Sequence, residues 1–247
     1  MSQGHDLALE GSVVAVAADR GHHFSKPTQD RIILAEGHGV EGDAHAGPFV
    51  RHRYLARRRP RLPNLRQVHL IPSELFPSLL EAGFEIGAGD LGENVTTAGL
   101  DLERMPLGTL IELGPAAVVE LTGLRTPCVL IDRFRAGLKR QVLSSAETGP
   151  AFKSGVLGVV RAGGPVVAGD SARVRLPSSS VTDIKSNLPD RTTPLGAELF
   201  KRYRWQIQIY AVRRAVSLIR PSLRKQDRFK NLRRPDRKSP CCRGRTS

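Results

Sequence analysis

The segment TGLRTPCVLIDRF, residues 122–134, contains Cys128, the first cysteine of the chain; the other two, Cys241 and Cys242, are neighbours far downstream. A free cysteine is most often a small core side chain. It can also be a nucleophile or a metal ligand. Pro127 ends the preceding apolar run and pins the backbone, which predicts that Cys128 sits at a loop. Arg125 lies three residues before it, and Arg133 and Arg135 follow. Positive charge beside a thiol favours the thiolate, the form that attacks sulfur and binds soft metals. Cys128 is therefore the expected reactive thiol, either a nucleophile or a metal ligand, with Arg125 keeping it charged.

Three further stretches carry residues of the right types. GVEGDAHAG sets Asp43 and His45 between glycines. Two residues apart in extended chain they would face one side, as a carboxylate and imidazole turned to a ligand. The alternative is a loop whose Asp closes an Asx-type turn. His38 and His45 lack a second ligand pair at zinc spacing. GENV offers Glu93 and Asn94, either as a polar turn or as hydrogen-bonding groups for a planar heterocycle or phosphate ester. HHFSK carries Lys26, a point charge for a phosphate or a solvated loop lysine.

The elements that must position these groups are short. GSVVAVAA (11–18), RIILAEG, LRQVHLI (65–71), GTLIELG and AVVELTGL all read as strands, the last two flanking a Gly-Pro-Ala turn. SGVLGVVRAGGPVVAGDSARVRL adds three more strands with glycine corners. PSELFPSLLEAGF has helical spacing, with Ser73 as N-cap and Gly83 as stop. DRFRAGLKRQVL predicts a second short helix. GDLGENVTTAGLDL reads as a turn-rich crossing. Many short strands, frequent glycine turns and one or two short helices predict a mainly β fold, a mostly antiparallel and closed or nearly closed barrel. No glycine-rich phosphate loop and no internal repeat are present.

Charge divides the chain. It carries 38 Lys+Arg against 24 Asp+Glu, net +14. Residues 177–247 hold 18 basic and 5 acidic side chains, net +13, which leaves 20 and 19 for residues 1–176. The first part is thus a near-neutral globular chain, and the rest is a basic C-terminal extension. Within it, residues 195–220 place Trp205, Ile209, Val212, Val216 and Ile219 on one helical stripe. The remainder reads as disordered. RHRYLARRRPR (51–61) is a local basic loop. No run reaches the ~18 apolar residues of a membrane span, and the first 20 residues lack a signal-peptide pattern. One thiol in the core suits a reducing compartment. These features predict a soluble cytoplasmic protein.

In order and spacing, GVEGDAHAG, RQVHLI, GENV, VVELTGLRTPC and GVLGVVRAGGPVVAGD resemble the MOSC domain, the C-terminal domain of molybdenum cofactor sulfurases. The resemblance spans about residues 11–176, and Arg125 to Cys128 is its most specific element. It implies a MOSC-like β-barrel, affinity for a molybdenum-pterin cofactor and a reactive cysteine at position 128. Asp43, His45, Glu93 and Asn94 match family motif positions; Lys26 is the companion charge suggested by its loop. The activity implied is that of a sulfur carrier, a sulfurtransferase or a molybdenum-dependent reductase. Partners implied are the cofactor or a molybdoenzyme. The sequence has no recognisable pyridoxal-phosphate lysine motif or desulfurase domain, so a cysteine desulfurase or a redox partner is expected to act with it. The other class of function is a nucleic-acid-binding barrel with a basic arm. The tail would then bind nucleic acid or anionic membrane without specificity. Aromatic residues are only 5% of the chain, which argues against a base-stacking platform.

Overall fold

The computed structural model describes residues 9–51, 57, 61–143 and 152–177. Eleven strands occur among them: β1 (Glu10–Ala17), β2 (Thr28–Gln29), β3 (Arg31–Ala35), β4 (Gly39–Val40), β5 (Val68–Pro72), β6 (Val95–Ala98), β7 (Leu110–Leu113), β8 (Ala117–Leu124), β9 (Val156–Ala162), β10 (Gly164–Val167) and β11 (Ser171–Arg175). Seven of them close a barrel in the order β1-β6-β5-β9-β8-β7-β11, and β11 pairs back onto β1. Closure runs through Glu10↔Arg173, Gly11↔Ala172 and Ser12↔Ser171. Every pairing in the ring is antiparallel except β5–β6. β2 extends β1, and β10, β3 and β4 form a separate small sheet. Closure satisfies the strand edges that an open sheet would leave bare.

The barrel interior is filled by Val13, Val16, Leu70, Val95, Ile111, Leu113, Val119, Leu121, Val156 and Val160 among others. Burying each such side chain contributes about 1.5–3 kcal/mol. A second cluster joins Ile71 of β5 to the helices α1 (Leu75–Glu81), α2 (Val129–Phe134) and α3 (Leu138–Gln141). β5 is therefore buried along its whole length. It shows no alternation of buried and exposed positions, because helices cover the face that would otherwise meet water.

Three local expectations are corrected. The second helix is two, α2 and α3, separated at Arg135–Gly137. Ser73 does not cap α1 with its side chain; Glu74 holds the N-cap position, and the Ser73 carbonyl accepts from Phe76 N–H. Gly83 does follow the helix end, with φ +85°. The crossing GDLGENVTTAGLDL contains β6, a strand formed because its place between β1 and β5 supplies partners on both edges. The basic loop residues 52–56 and 58–60, the tail after residue 177, its expected helix, Cys241 and Cys242 lie outside the described residues.

Candidate functional site at one barrel mouth

The carboxyl ends of β1 and β8 and the amino ends of β6 and β9 lie level with Leu70 of β5, as the registers Val16↔Val95, Leu70↔Val95, Leu70↔Val156 and Leu124↔Val156 require. The loops that follow or precede these ends carry the expected residues. A continuous hydrogen-bond chain connects Lys26, Asp43, His45, Asn94 and Arg125.

Asp43 is its hub. Its Oδ2 accepts from Lys26 Nζ at 2.7 Å, Asn94 Nδ2 at 3.0 Å and Asp19 N–H at 3.3 Å. Its Oδ1 accepts from His45 N–H at 2.9 Å and lies 3.3 Å from His45 Nδ1. The backbone contact from His45 makes this segment an Asx-type turn, and the same turn turns His45 toward the carboxylate. Burial pushes the Asp43 carboxyl up, but the His45 and Lys26 hydrogen bonds and the Lys26 charge outweigh it and hold it well below the usual range. Lys26 is a buried ammonium, only 7% exposed, and not a solvated loop lysine. Burial pulls it down and the Asp43 charge opposes.

Asn94 ties three strands together. Its Nδ2 also donates to the Ala17 carbonyl at 3.1 Å, and its Oδ1 accepts from His69 N–H at 3.2 Å. Its backbone repeats both links: Ala17 N–H donates to the Asn94 carbonyl and Asn94 N–H to the His69 carbonyl. His69 Nε2 donates to the Ser154 carbonyl at 2.8 Å. Ser154 Oγ in turn donates to the Arg125 carbonyl. Burial and the Arg125 charge pull the His69 imidazole down to about 3, so it is neutral at physiological pH. Glu93 is fully buried; its Oε1 accepts from Gly89 N–H at 2.6 Å and from Thr96 Oγ1 at 3.2 Å. Burial raises its acid above the ordinary range.

Cys128 stands immediately before α2, partly exposed, with extended backbone. Arg125 is also partly exposed; its Nη1 donates to the Thr126 carbonyl and its N–H to the Gly155 carbonyl. Five of the seven expected residues, Lys26, Asp43, His45, Asn94 and Arg125, thus share one hydrogen-bonded network; Glu93 precedes Asn94 in the chain and Cys128 follows Arg125 by three residues. Lys26, Asp43, Glu93 and Asn94 are buried, whereas His45, Arg125 and Cys128 reach solvent. His45 also meets His22 edge-on, ring centroids 5.5 Å apart.

Arg66, His69 and Ser154 were not singled out in the sequence. The readable signal was polar residues inside RQVHLI, a run too apolar to tolerate them without buried partners. A separate cavity of about 610 Å³ opens beside α1 and is lined by Phe84, Ile86, Asp90 and Arg135 among others. None of the seven expected residues lines it.

The MOSC domain model matches residues 41–173. The fold is similar to that of the YuaD protein from Bacillus subtilis, with a TM-score of 0.57 and 21% identity, over 69% of this chain and 98% of that one. It is also similar to YiiM from Escherichia coli, with a TM-score of 0.52 and 19% identity, over 80% and 94% of the two chains. At such identities the likeness is one of fold. No curated protein sequence matches the chain.

Proposed function

Because the chain belongs to the MOSC domain family, we propose that its barrel mouth binds a molybdenum-pterin cofactor and that Cys128 is the group that reacts there. The family is associated with that cofactor. The observation that carries the reading is the join between a rigid buried framework and a reachable thiol. Lys26, Asp43, Asn94, His69 and Ser154 lock the loop backbone up to Arg125, and Cys128 follows three residues later. A reactive group held on fixed elements is positioned without further ordering cost.

The residues fit such a group. Among the described residues no three His, Cys, Asp or Glu side chains gather into a metal site. On this reading a metal at Cys128 would be held chiefly by its cofactor. When bound, that cofactor would supply a soft, redox-active metal suited to a sulfur donor. The chain's own part is to offer the Cys128 sulfur, cationic side chains for an anionic ligand and a dry interior behind them. Asp43 neutralises Lys26, so that ammonium serves the framework, and His45 and Arg125, both partly exposed, are among the polar groups left for the ligand. Sulfur carriage and metal ligation both use Cys128.

Metal and pterin content of the protein purified from a host that makes the cofactor tests this reading, beside Cys128→Ser. Wild type should carry molybdenum and pterin together. Loss of the metal in the variant supports ligation; retention of metal with loss of a Cys128 persulfide supports sulfur carriage. A wild-type protein with neither molybdenum nor pterin overturns the proposal.

A further inference from the structure

Among the described residues, two cations near Cys128, Arg66 and Arg125, have no carboxylate partner. Arg66 lies just before β5. Its backbone N–H donates to Asn64 Oδ1 at 3.0 Å, which fixes the local turn. Its neighbours are fastened to the far strands: Thr122 Oγ1 donates to the Leu65 carbonyl at 2.6 Å, and Gln67 N–H donates to the Gly158 carbonyl at 3.0 Å. Thr122 is three residues before Arg125, so Arg66 runs beside the end of β8. The Arg66 Nε is buried without a hydrogen-bond partner. No described carboxylate forms an ion pair with Arg66 or Arg125.

That arrangement is costly as it stands. A buried charged donor left without an acceptor is destabilising, and two guanidinium groups near one another repel. Burial and the Arg125 charge pull Arg66 down to about 10, and only the charge of Cys128 opposes them. Lys26, by contrast, has its carboxylate. A planar guanidinium fork is shaped to take two oxygens of one anion.

We propose that Arg66 and Arg125 form an oxyanion-binding site beside the Cys128 thiol. Its ligand is a tetrahedral dianion, supplied either as a phosphate ester or as the sulfur oxyanion of a small-molecule sulfur donor. The site rests on the reading that Cys128 is the reactive group, and it does not require the molybdenum cofactor. With thiosulfate as the donor the chemistry balances. The Cys128 thiolate attacks the outer sulfur, a new S–S bond forms, and the bond to the sulfite sulfur breaks with its electron pair. Sulfite leaves as a dianion and Cys128 becomes a persulfide anion, with no external oxidant or reductant.

The test is carried out on the full chain. Alkylation of Cys128 by neutral iodoacetamide is followed by peptide-resolved mass spectrometry, with inorganic phosphate or potassium chloride added at equal ionic strength. Phosphate should protect Cys128 saturably and chloride should not. In Arg66→Gln the phosphate needed for half-protection should rise about tenfold or more, as expected for loss of a charge-assisted hydrogen bond. Arg66→Lys keeps the charge without the fork and should fall between the two. Thermal unfolding of each variant checks its fold; if Arg66→Gln does not fold, Arg66→Lys and Arg125→Gln decide. Equal protection by chloride, or unchanged phosphate protection in the folded variants, overturns the site. Thiosulfate in place of phosphate separates the sources: a gain of one sulfur on Cys128 identifies a sulfur donor, and protection without that gain identifies a phosphate-type ligand. Phosphate protection in a protein that takes up no molybdenum would sink the cofactor reading alone; molybdenum uptake without phosphate protection would sink this site alone.

Discussion

Asp43 is where the mouth is most sensitive to a single atom change. Removing its carboxylate leaves the Lys26 ammonium buried and unpaired and takes one of the two acceptors of Asn94 Nδ2. Breaking a buried pair from one side costs about 3–5 kcal/mol. Asp43→Ala should therefore lower stability by about 3 kcal/mol or more. Asn94→Ala should cost about 2 kcal/mol, because Asn94 is 2% exposed and its loss orphans His69 N–H and the Ala17 carbonyl. A motif position that the sequence presents as a polar turn is thus part of the frame. His45→Ala, at a partly exposed position, should stay within about 1 kcal/mol. Denaturant midpoints at pH 7 check the ranking. A smaller loss for Asp43→Ala than for His45→Ala would mean that Lys26 relaxes into water.

The strands and loops carry these residues only because the backbone passes very close to itself at the mouth. Gly155, just before β9, has φ +78°, and a Cβ built there would lie 2.0 Å from the Leu70 carbonyl. Its N–H donates to Glu103 Oε1, and its carbonyl accepts from Arg125 N–H. The Leu70 clash is with backbone, so Gly155→Ala must displace β9 from β5 or pull Ser154 and Arg125 away. The expected loss is about 3 kcal/mol or more, combining the strained φ with the steric shift. It should come with faster Cys128 alkylation, as the loop before α2 loosens. A variant with wild-type melting temperature and wild-type thiol reactivity would show that the mouth is less rigid than this packing demands.

Across the whole molecule, two buried titratable groups act in opposite senses. Burial raises Glu103 to about 7, although the Gly155 N–H bond favours its charge. The native state then holds a proton that the unfolded state has lost, so this group makes stability fall as pH rises from about 4.5 to 7. His69, lowered to about 3, works the other way. Its contribution is present above about pH 6.5 and is lost as pH falls toward 3. Between pH 4.5 and 6.5 the two slopes offset each other, which predicts a nearly flat stability profile and a steep acid loss below it. Glu103→Gln keeps the acceptor for Gly155 and removes one slope. It should be more stable than wild type at pH 8, by up to about 3 kcal/mol, and similar to it at pH 4.5. Its stability should fall continuously from pH 6.5 downward. Superimposable profiles for the two proteins, measured by denaturant midpoint, would refute this assignment.

The closed barrel was legible in the chain because β-branched runs and glycine corners are local signals. GSVVAVAA, AVVELTGL and SARVRL read as strands before any partner is known. The order of motifs around Arg125 to Cys128 likewise identified the family and the position of the thiol. Other features are properties of approach, not of local sequence. VTTA becomes β6 only when β1 and β5 flank it. Lys26 is buried only because Asp43, 17 residues on, arrives to neutralise it. His69 is neutral because Ser154, 85 residues away in sequence, accepts its proton-bearing nitrogen in a dry site. Arg66 looks like one charge at the edge of a strand until the end of β8 is laid beside it. Residue type set which groups could do chemistry at this mouth; burial and partnership, which exist only after closure, decided which of them serve as framework and which stay open to solvent.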